Sequence, residues 1–231
     1  MRSAPDSKPA HIMRSRSYAG SNPVLSLLMQ TVSLVHSGTS VLPSASCFRL
    51  AIGVSGPIAA GKTAVCRHLE GKGFSYARFS AVIDDMLRQA GLPIDRSHQQ
   101  AMGEQVHLSP GQRWLCQELM QRVPENVRLV VIDGLRFPDD HAFFAERLGS
   151  RFLHLHIAAA RGIREARYIH AGGTAEDFKA AEGALTESQH DRMSSLAHII
   201  VENQTDLSHL WTQIDQAIGA IRPDPGGLLC Q

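Results

Sequence analysis

Leu50–Cys66 reads LAIGVSGPIAAGKTAVC. An apolar run of Leu50, Ala51, Ile52 and Val54 breaks at Gly56, and Gly56-Pro57-Ile58-Ala59-Ala60-Gly61-Lys62-Thr63 fits the pattern G-x-x-x-x-G-K-[ST]. Small residues let successive backbone N–H groups turn inward around a phosphate, towards which the following helix also points its positive end. The predicted cradle runs from Gly56 to Ala64. Lys62 adds a point charge near the β- and γ-phosphates, and Thr63 a hydroxyl ligand for Mg²⁺. Any glycine-rich turn before Lys-Thr matches such a pattern. The strand-like run before it and the apolar-periodic Ala64, Val65 and Leu69 after it favour a working phosphate loop over a plain turn.

From Phe48 onward, strand-like runs alternate with helical ones. Strands are expected at about 48–55, 74–79, 127–133, 151–157 and 198–202. VRLVVID (127–133) is nearly continuous in aliphatic residues, as a strand buried on both faces of a parallel sheet should be. Ser80 reads as the N-cap of the helix AVIDDMLRQAG, Ser109-Pro110 as the opening of GQRWLCQELMQRV, and Thr205 as the cap of the last helix. Pro138 restarts a helix that has acids in its first turn and Gly149 after its last. Such alternation requires crossovers, hence a parallel α/β sheet with helices on both faces. Ligands bind at the carboxyl ends of such strands. That rim carries the phosphate loop, Arg78–Ser80, and Asp133-Gly134-Leu135-Arg136.

The 231 residues suffice for one core, a domain of about 180 residues plus an extension. The domain is placed at 48–222, with a short tail at 223–231. Residues 1–47 are rich in Ser, Pro and Arg and include an apolar patch, VLSLLMQTVSLV (24–35). That patch is too short for a bilayer span, which needs about 20 residues. A loosely docked or disordered extension is expected, with an organelle transit peptide or a secretory signal as alternatives. A net charge of +1 gives no broad nucleic-acid surface. The four cysteines lie far apart without metal-ligand spacing, which suits reduced thiols in the cytoplasm. Any metal should arrive with a nucleotide.

Asp133 ends an apolar strand, where phosphate-loop proteins place the acid that orders Mg²⁺; the competing reading is a turn Asp before Gly134. Arg136 offers a guanidinium fork for a phosphate, or else a surface ion pair with Asp139 or Asp140. Arg164 and Arg167 share a helix face and could close over a transferring phosphoryl group; a solvated basic face is the bland alternative. His154 and His156 alternate on one side of their strand and read as satisfied packing residues. Trp114, Leu115 and Leu119 read as core.

The succession GVSGPIAAGKTAV, GFSYARFS, Gly103-Glu104, VVIDGLRFPDDHAFF, RFLHLHI, R-x-x-R-Y and a strand ending at Asn203 resembles the adenylate-kinase-like P-loop kinases. The likeness is greatest to the deoxynucleoside monophosphate kinases and dephospho-CoA-kinase-related proteins, and it covers about Phe48 to Ile221. It implies a three-layer fold with a five-stranded parallel sheet in the order 2-3-1-4-5 and a helical lid after strand four. It also implies an ATP–Mg²⁺ site at Gly56, Gly61, Lys62 and Thr63, site residues at Asp133 and Arg136, and lid arginines at Arg164 and Arg167. The loop ends Ala59-Ala60-Gly61-Lys62 where relatives more often have Gly-Ser-Gly-Lys, and Ile169-His170-Ala171 is less basic than many lids.

A hydroxyl acceptor needs a carboxylate to take its proton, whereas a nucleoside monophosphate needs arginines to hold it. True dephospho-CoA kinases carry an acidic D-A-D turn at the end of strand two; here Arg78-Phe79-Ser80 stands there, and Asp84 and Asp85 fall on the next helix, where solvation is expected. The expectation is therefore an ATP- and Mg²⁺-dependent kinase of a nucleotide monophosphate, a deoxynucleotide included. Arg78, Ser80 and Arg136 would hold the acceptor in a monomer or weak dimer. A hydroxyl kinase and a nucleotide-binding switch without turnover are the alternatives.

Overall fold

The computed structural model describes residues 48–183 and 188–220. The whole expected extension, residues 184–187 of the expected lid region, and the tail lie outside the described residues. Five strands form one parallel sheet: β1 Leu50–Ser55, β2 Ser75–Arg78, β3 Leu129–Asp133, β4 Phe152–Ala158 and β5 Ile199–Glu202. Their order is β2-β3-β1-β4-β5, the expected 2-3-1-4-5. Nine helices are described: α1 Lys62–Gly71, α2 Phe79–Gln89, α3 Arg96–Leu108, α4 Gln112–Gln121, α5 Pro138–Leu148, α6 Arg161–His170, α7 Ala175–Glu182, α8 His190–Leu196 and α9 Leu207–Gly219.

Alternation along the central strands builds the core on both faces. On β1, Ala51 faces one cluster with Val82, Met102, Leu119, Phe144 and Met193, from α2, α3, α4, α5 and α8. Ile52 and Val54 face the other, with Val65 and Leu69 of α1 and Leu210 and Ile214 of α9. Each fully buried Leu, Ile or Phe contributes roughly 1.5–3 kcal/mol of transfer free energy. Trp114, Leu115 and Leu119 are core residues, as expected. A third, small cluster joins Ile58 of the phosphate loop to Phe178 and Ala181 of α7. Among the described residues no helix is long and apolar enough to cross a membrane.

Three helix starts differ from the sequence expectation. Arg78, not Ser80, is the N-cap of α2, and Ser80 lies in its first turn. Ser109 closes α3, its N–H donating to the Gln105 carbonyl, and α4 opens only after Gly111. Asp206, not Thr205, caps α9 by accepting from the His209 N–H. Of these three starts, only that of α9 has a side chain satisfying an open backbone N–H; Arg78 and Gly111 hold the N-cap positions of α2 and α4 without a side-chain capping bond. Pro138 does open α5, with Asp139 and Asp140 in the first turn.

Candidate functional site

The loop from Gly56 to Thr63 leaves the C-terminal end of β1 and runs into α1. Gly56 has φ +140°, and a Cβ there would lie 2.3 Å from the Ile157 carbonyl oxygen of β4. Gly61, at φ +103°, would bring a Cβ to 2.5 Å from Asn203 Nδ2. Both positions therefore need glycine twice over, for conformation and for space. Lys62 folds back across the loop, its Nζ donating to the Gly56 and Pro57 carbonyls at 2.6 and 2.7 Å. Asn203, 3% exposed, braces the loop from the end of β5 by donating from Nδ2 to the Ala60 carbonyl at 2.8 Å.

Asp133 ends β3 beside this loop. Thr63 Oγ1 donates to its Oδ2 at 3.0 Å, and the Tyr76 hydroxyl donates to the same oxygen at 2.6 Å. Burial, then the bond to Asp133, pushes the Tyr76 phenol well above its ordinary pKa, so it stays a donor. Thr63 and Asp133 thus bring a hydroxyl and a carboxylate together next to the loop, the hard oxygen set suited to Mg²⁺. The residues fit an ATP–Mg²⁺ group: the glycines leave the backbone bare, and the oxygen pair adjoins it.

The next rim segment starts with Gly134 and Leu135, whose N–H groups both donate to the Val54 carbonyl at 3.1 Å. Asp140 then folds the segment. It is 1% exposed, and its Oδ2 accepts from the backbone N–H groups of Arg136 and Phe137 at 2.8 and 2.9 Å. Burial raises its pKa to about 6 against the pull of those bonds. Asp140, one of the two carboxylates in the alternative reading of Arg136, thus meets the Arg136 backbone N–H. Arg136 lines a cleft with Ser80 and Ile83 of α2, Arg96, Gln99 and Gln100 of α3, and Gln112 of α4.

Arg78 points elsewhere. Its Nη2 is 3.3 Å from Asp84 Oδ2, and Arg78 is not among the residues lining the cleft. Asp84 is 4% exposed and accepts from Gln99 Nε2 at 2.5 Å, which corrects the expectation of solvation. Asp85 does face solvent, paired with Arg88 and Arg122.

Arg164 and Arg167 lie on the same face of α6, as expected, but their guanidiniums are engaged. Arg164, 8% exposed, donates to the Ala159 carbonyl at 3.1 Å, the Ile58 carbonyl at 3.4 Å and Glu182 Oε1 at 2.8 Å. Arg167 Nη2 reaches Asn203 Oδ1 at 3.0 Å and the Thr205 carbonyl at 3.2 Å. Arg161 shares Glu182 with Arg164. α6 therefore grips the glycine-rich loop from outside, Arg164 directly at the Ile58 carbonyl and Arg167 through Asn203.

Tyr76, Asn203 and Glu182 were missing from the sequence-predicted site. Tyr76 and Asn203 sit inside recognisable motifs, but their partners are 57 and 143 residues away, and no local periodicity reports such pairs. His154 and His156 are buried packing residues, as expected, bonded to Ser55 Oγ at 2.7 and 2.9 Å.

No family model matches the chain. It is 25% identical over 177 residues to a UPF0200 protein of Pyrobaculum aerophilum, covering 74% of this chain and 98% of that one. A UPF0200 protein of Methanoregula boonei is likewise 25% identical, over 182 residues, with 75% and 98% covered. Among solved structures, a sugar kinase of Janibacter sp. HTCC2649 superposes with a TM-score of 0.50 at 15% identity, over 78% of this chain and 98% of the other. The likeness is one of fold: the sheet order and helices match the α/β fold of P-loop kinases.

Proposed function

We propose that the protein is an ATP-dependent kinase of a nucleoside monophosphate, a deoxynucleotide included among the candidates. The observation that carries this reading is the cleft that begins at Gly134, next to Asp133, which offers Arg96 and Arg136 with neutral carboxamides and a serine. The one carboxylate lining it, Asp140, is buried under the segment it folds, and one of its oxygens is already occupied by two backbone N–H groups. Such a cleft is built to hold an anion rather than to deprotonate a hydroxyl. Mg²⁺, when bound, neutralises charge building between the β- and γ-phosphates. Thr63 and Asp133 would hold it, Lys62 and the loop amides would hold the donor phosphates, and Arg136 would orient the acceptor. In the transfer, the bond from the γ-phosphorus to its bridging oxygen breaks as one forms to an acceptor phosphate oxygen, releasing ADP. The sugar kinase that shares the fold supports a small-molecule phosphotransferase in general; the cleft supports the phosphate acceptor.

A second reading, a hydroxyl kinase, draws on the raised pKa of Asp140, which would suit a base if the segment over it opened. A coupled ADP-release screen separates the two. The purified chain with ATP–Mg²⁺ should release ADP with one or more ribo- or deoxynucleoside monophosphates, and Lys62→Ala should abolish that release. Turnover confined to dephospho-CoA or a sugar acid would favour the second reading. ATP binding with no acceptor-dependent ADP release would favour a nucleotide switch.

A further inference from the structure

The carboxylate ending β3 is anchored from β2 as well as from the phosphate loop. The parallel register pairs Tyr76 with Val131 and Arg78 with Asp133, so Tyr76 stands one pleat below the rim on the α1 face. From there its hydroxyl reaches up to Asp133 Oδ2 at 2.6 Å. The ring is held in turn: the Arg67 guanidinium of α1 lies 4.3 Å from its centroid, and Arg67 Nη1 is tied to Glu70 at 2.6 Å. Two hydroxyls, from Thr63 and Tyr76, therefore converge on one oxygen of Asp133. If Thr63 turns its oxygen to a metal, the Tyr76 bond stays, together with the buried Cys66 thiol that also hydrogen-bonds Asp133, to fix the carboxylate plane.

We propose that Tyr76 is a positioning residue for the divalent cation, holding Asp133 in its ligating orientation while Thr63 changes partner. This rests on the reading of Thr63 and Asp133 as the metal-organising pair. Groups that orient a metal's ligands from behind typically change metal affinity 10- to 100-fold when removed. Because Tyr76 touches neither the loop backbone nor the acceptor cleft, its loss should show in metal affinity and leave metal-free nucleotide binding intact.

The test substitutes Mn²⁺ for Mg²⁺ and follows free Mn²⁺ by electron paramagnetic resonance during titration of the full chain with a non-hydrolysable ATP analogue. Tyr76→Phe keeps the ring and its packing against Arg67, and its thermal unfolding midpoint checks the fold. The expected result is Mn²⁺ affinity lowered about tenfold in Tyr76→Phe, with analogue binding in EDTA equal to wild type. Wild-type Mn²⁺ affinity in Tyr76→Phe, or an equal loss of analogue binding in EDTA, overturns the inference. If the wild-type complex holds no more Mn²⁺ than the analogue alone, the donor-site reading fails and this inference with it.

Discussion

At single residues, the site depends on a few atoms with no substitute nearby. Asn203 serves two neighbours at once, donating to the Ala60 carbonyl and accepting from Arg167. Truncating it leaves a buried carbonyl and a guanidinium without that partner, a loss of about 1–3 kcal/mol. Asn203→Ala should therefore lower stability by that amount in urea unfolding and weaken ATP binding several-fold by calorimetry. A variant with native ATP affinity would show that the loop needs no brace from β5. Arg136 makes the opposite prediction. Its position in the cleft, away from the loop, means Arg136→Ala should raise KM for the acceptor far more than KM for ATP. Equal rises in both would remove Arg136 from acceptor binding.

At the level of elements, α6 and α7 pack against the glycine-rich loop through contacts that their sequence does not display. The spacing of Arg164 and Arg167 correctly places them on one face, and it suggests a hand closing on the phosphoryl group. In the structure α6 and α7 clamp the loop from outside, with Glu182 bridging Arg161 and Arg164 and Arg164 touching the Ile58 carbonyl. Glu182→Gln and Arg164→Lys should each raise KM for ATP, and the double variant should do little more damage than either single one, because both act through one contact. Additive effects would mean Arg164 works independently of Glu182. The strands were legible because continuous aliphatic runs such as Leu129–Ile132 have no other stable home than a covered parallel sheet. The phosphate loop was legible because its glycines are demanded by backbone geometry that the sequence displays directly. Helix starts were read less well, since the N-cap falls one or two positions from Ser80, Ser109 and Thr205, at Arg78, Gly111 and Asp206. Tyr76, Glu182 and the true partners of Arg78 and Arg164 come from chain crossings that no local pattern encodes.

Across the whole molecule, the buried titratable groups set how stability follows pH. Two imidazoles are shut behind β1: His154, fully buried, and His156, 4% exposed, both against Ser55. Burial first, then neighbouring imidazoles, lowers His154 from 6.5 to about 3; His141 and His198 face it. Burial, then His190 and Lys62, lowers His156 from 6.5 to about 4, with Asp191 pulling weakly the other way. The unfolded chain therefore binds more protons than the folded one below pH 6.5, and the histidine contribution, complete above that pH, drains away as pH falls towards 4 and then 3. Asp140 acts in the reverse sense. Its carboxyl is raised from 3.8 to about 6, so the folded state holds the extra proton in that interval, and this contribution is complete below 3.8 and lost as pH rises through 6. A tenfold change in proton affinity is worth about 1.4 kcal/mol, and the two imidazoles together lose more affinity on folding than the Asp140 carboxyl gains. Unfolding free energy should thus rise between pH 4 and 6.5 and level off above. Urea unfolding across that range checks this, and a His154→Gln/His156→Gln variant that still folds should show a flatter acid limb. A wild-type stability that stayed constant or fell from pH 4 to 6.5 would mean that these imidazoles are charged in the folded protein, and that the polar seam behind the phosphate loop admits water.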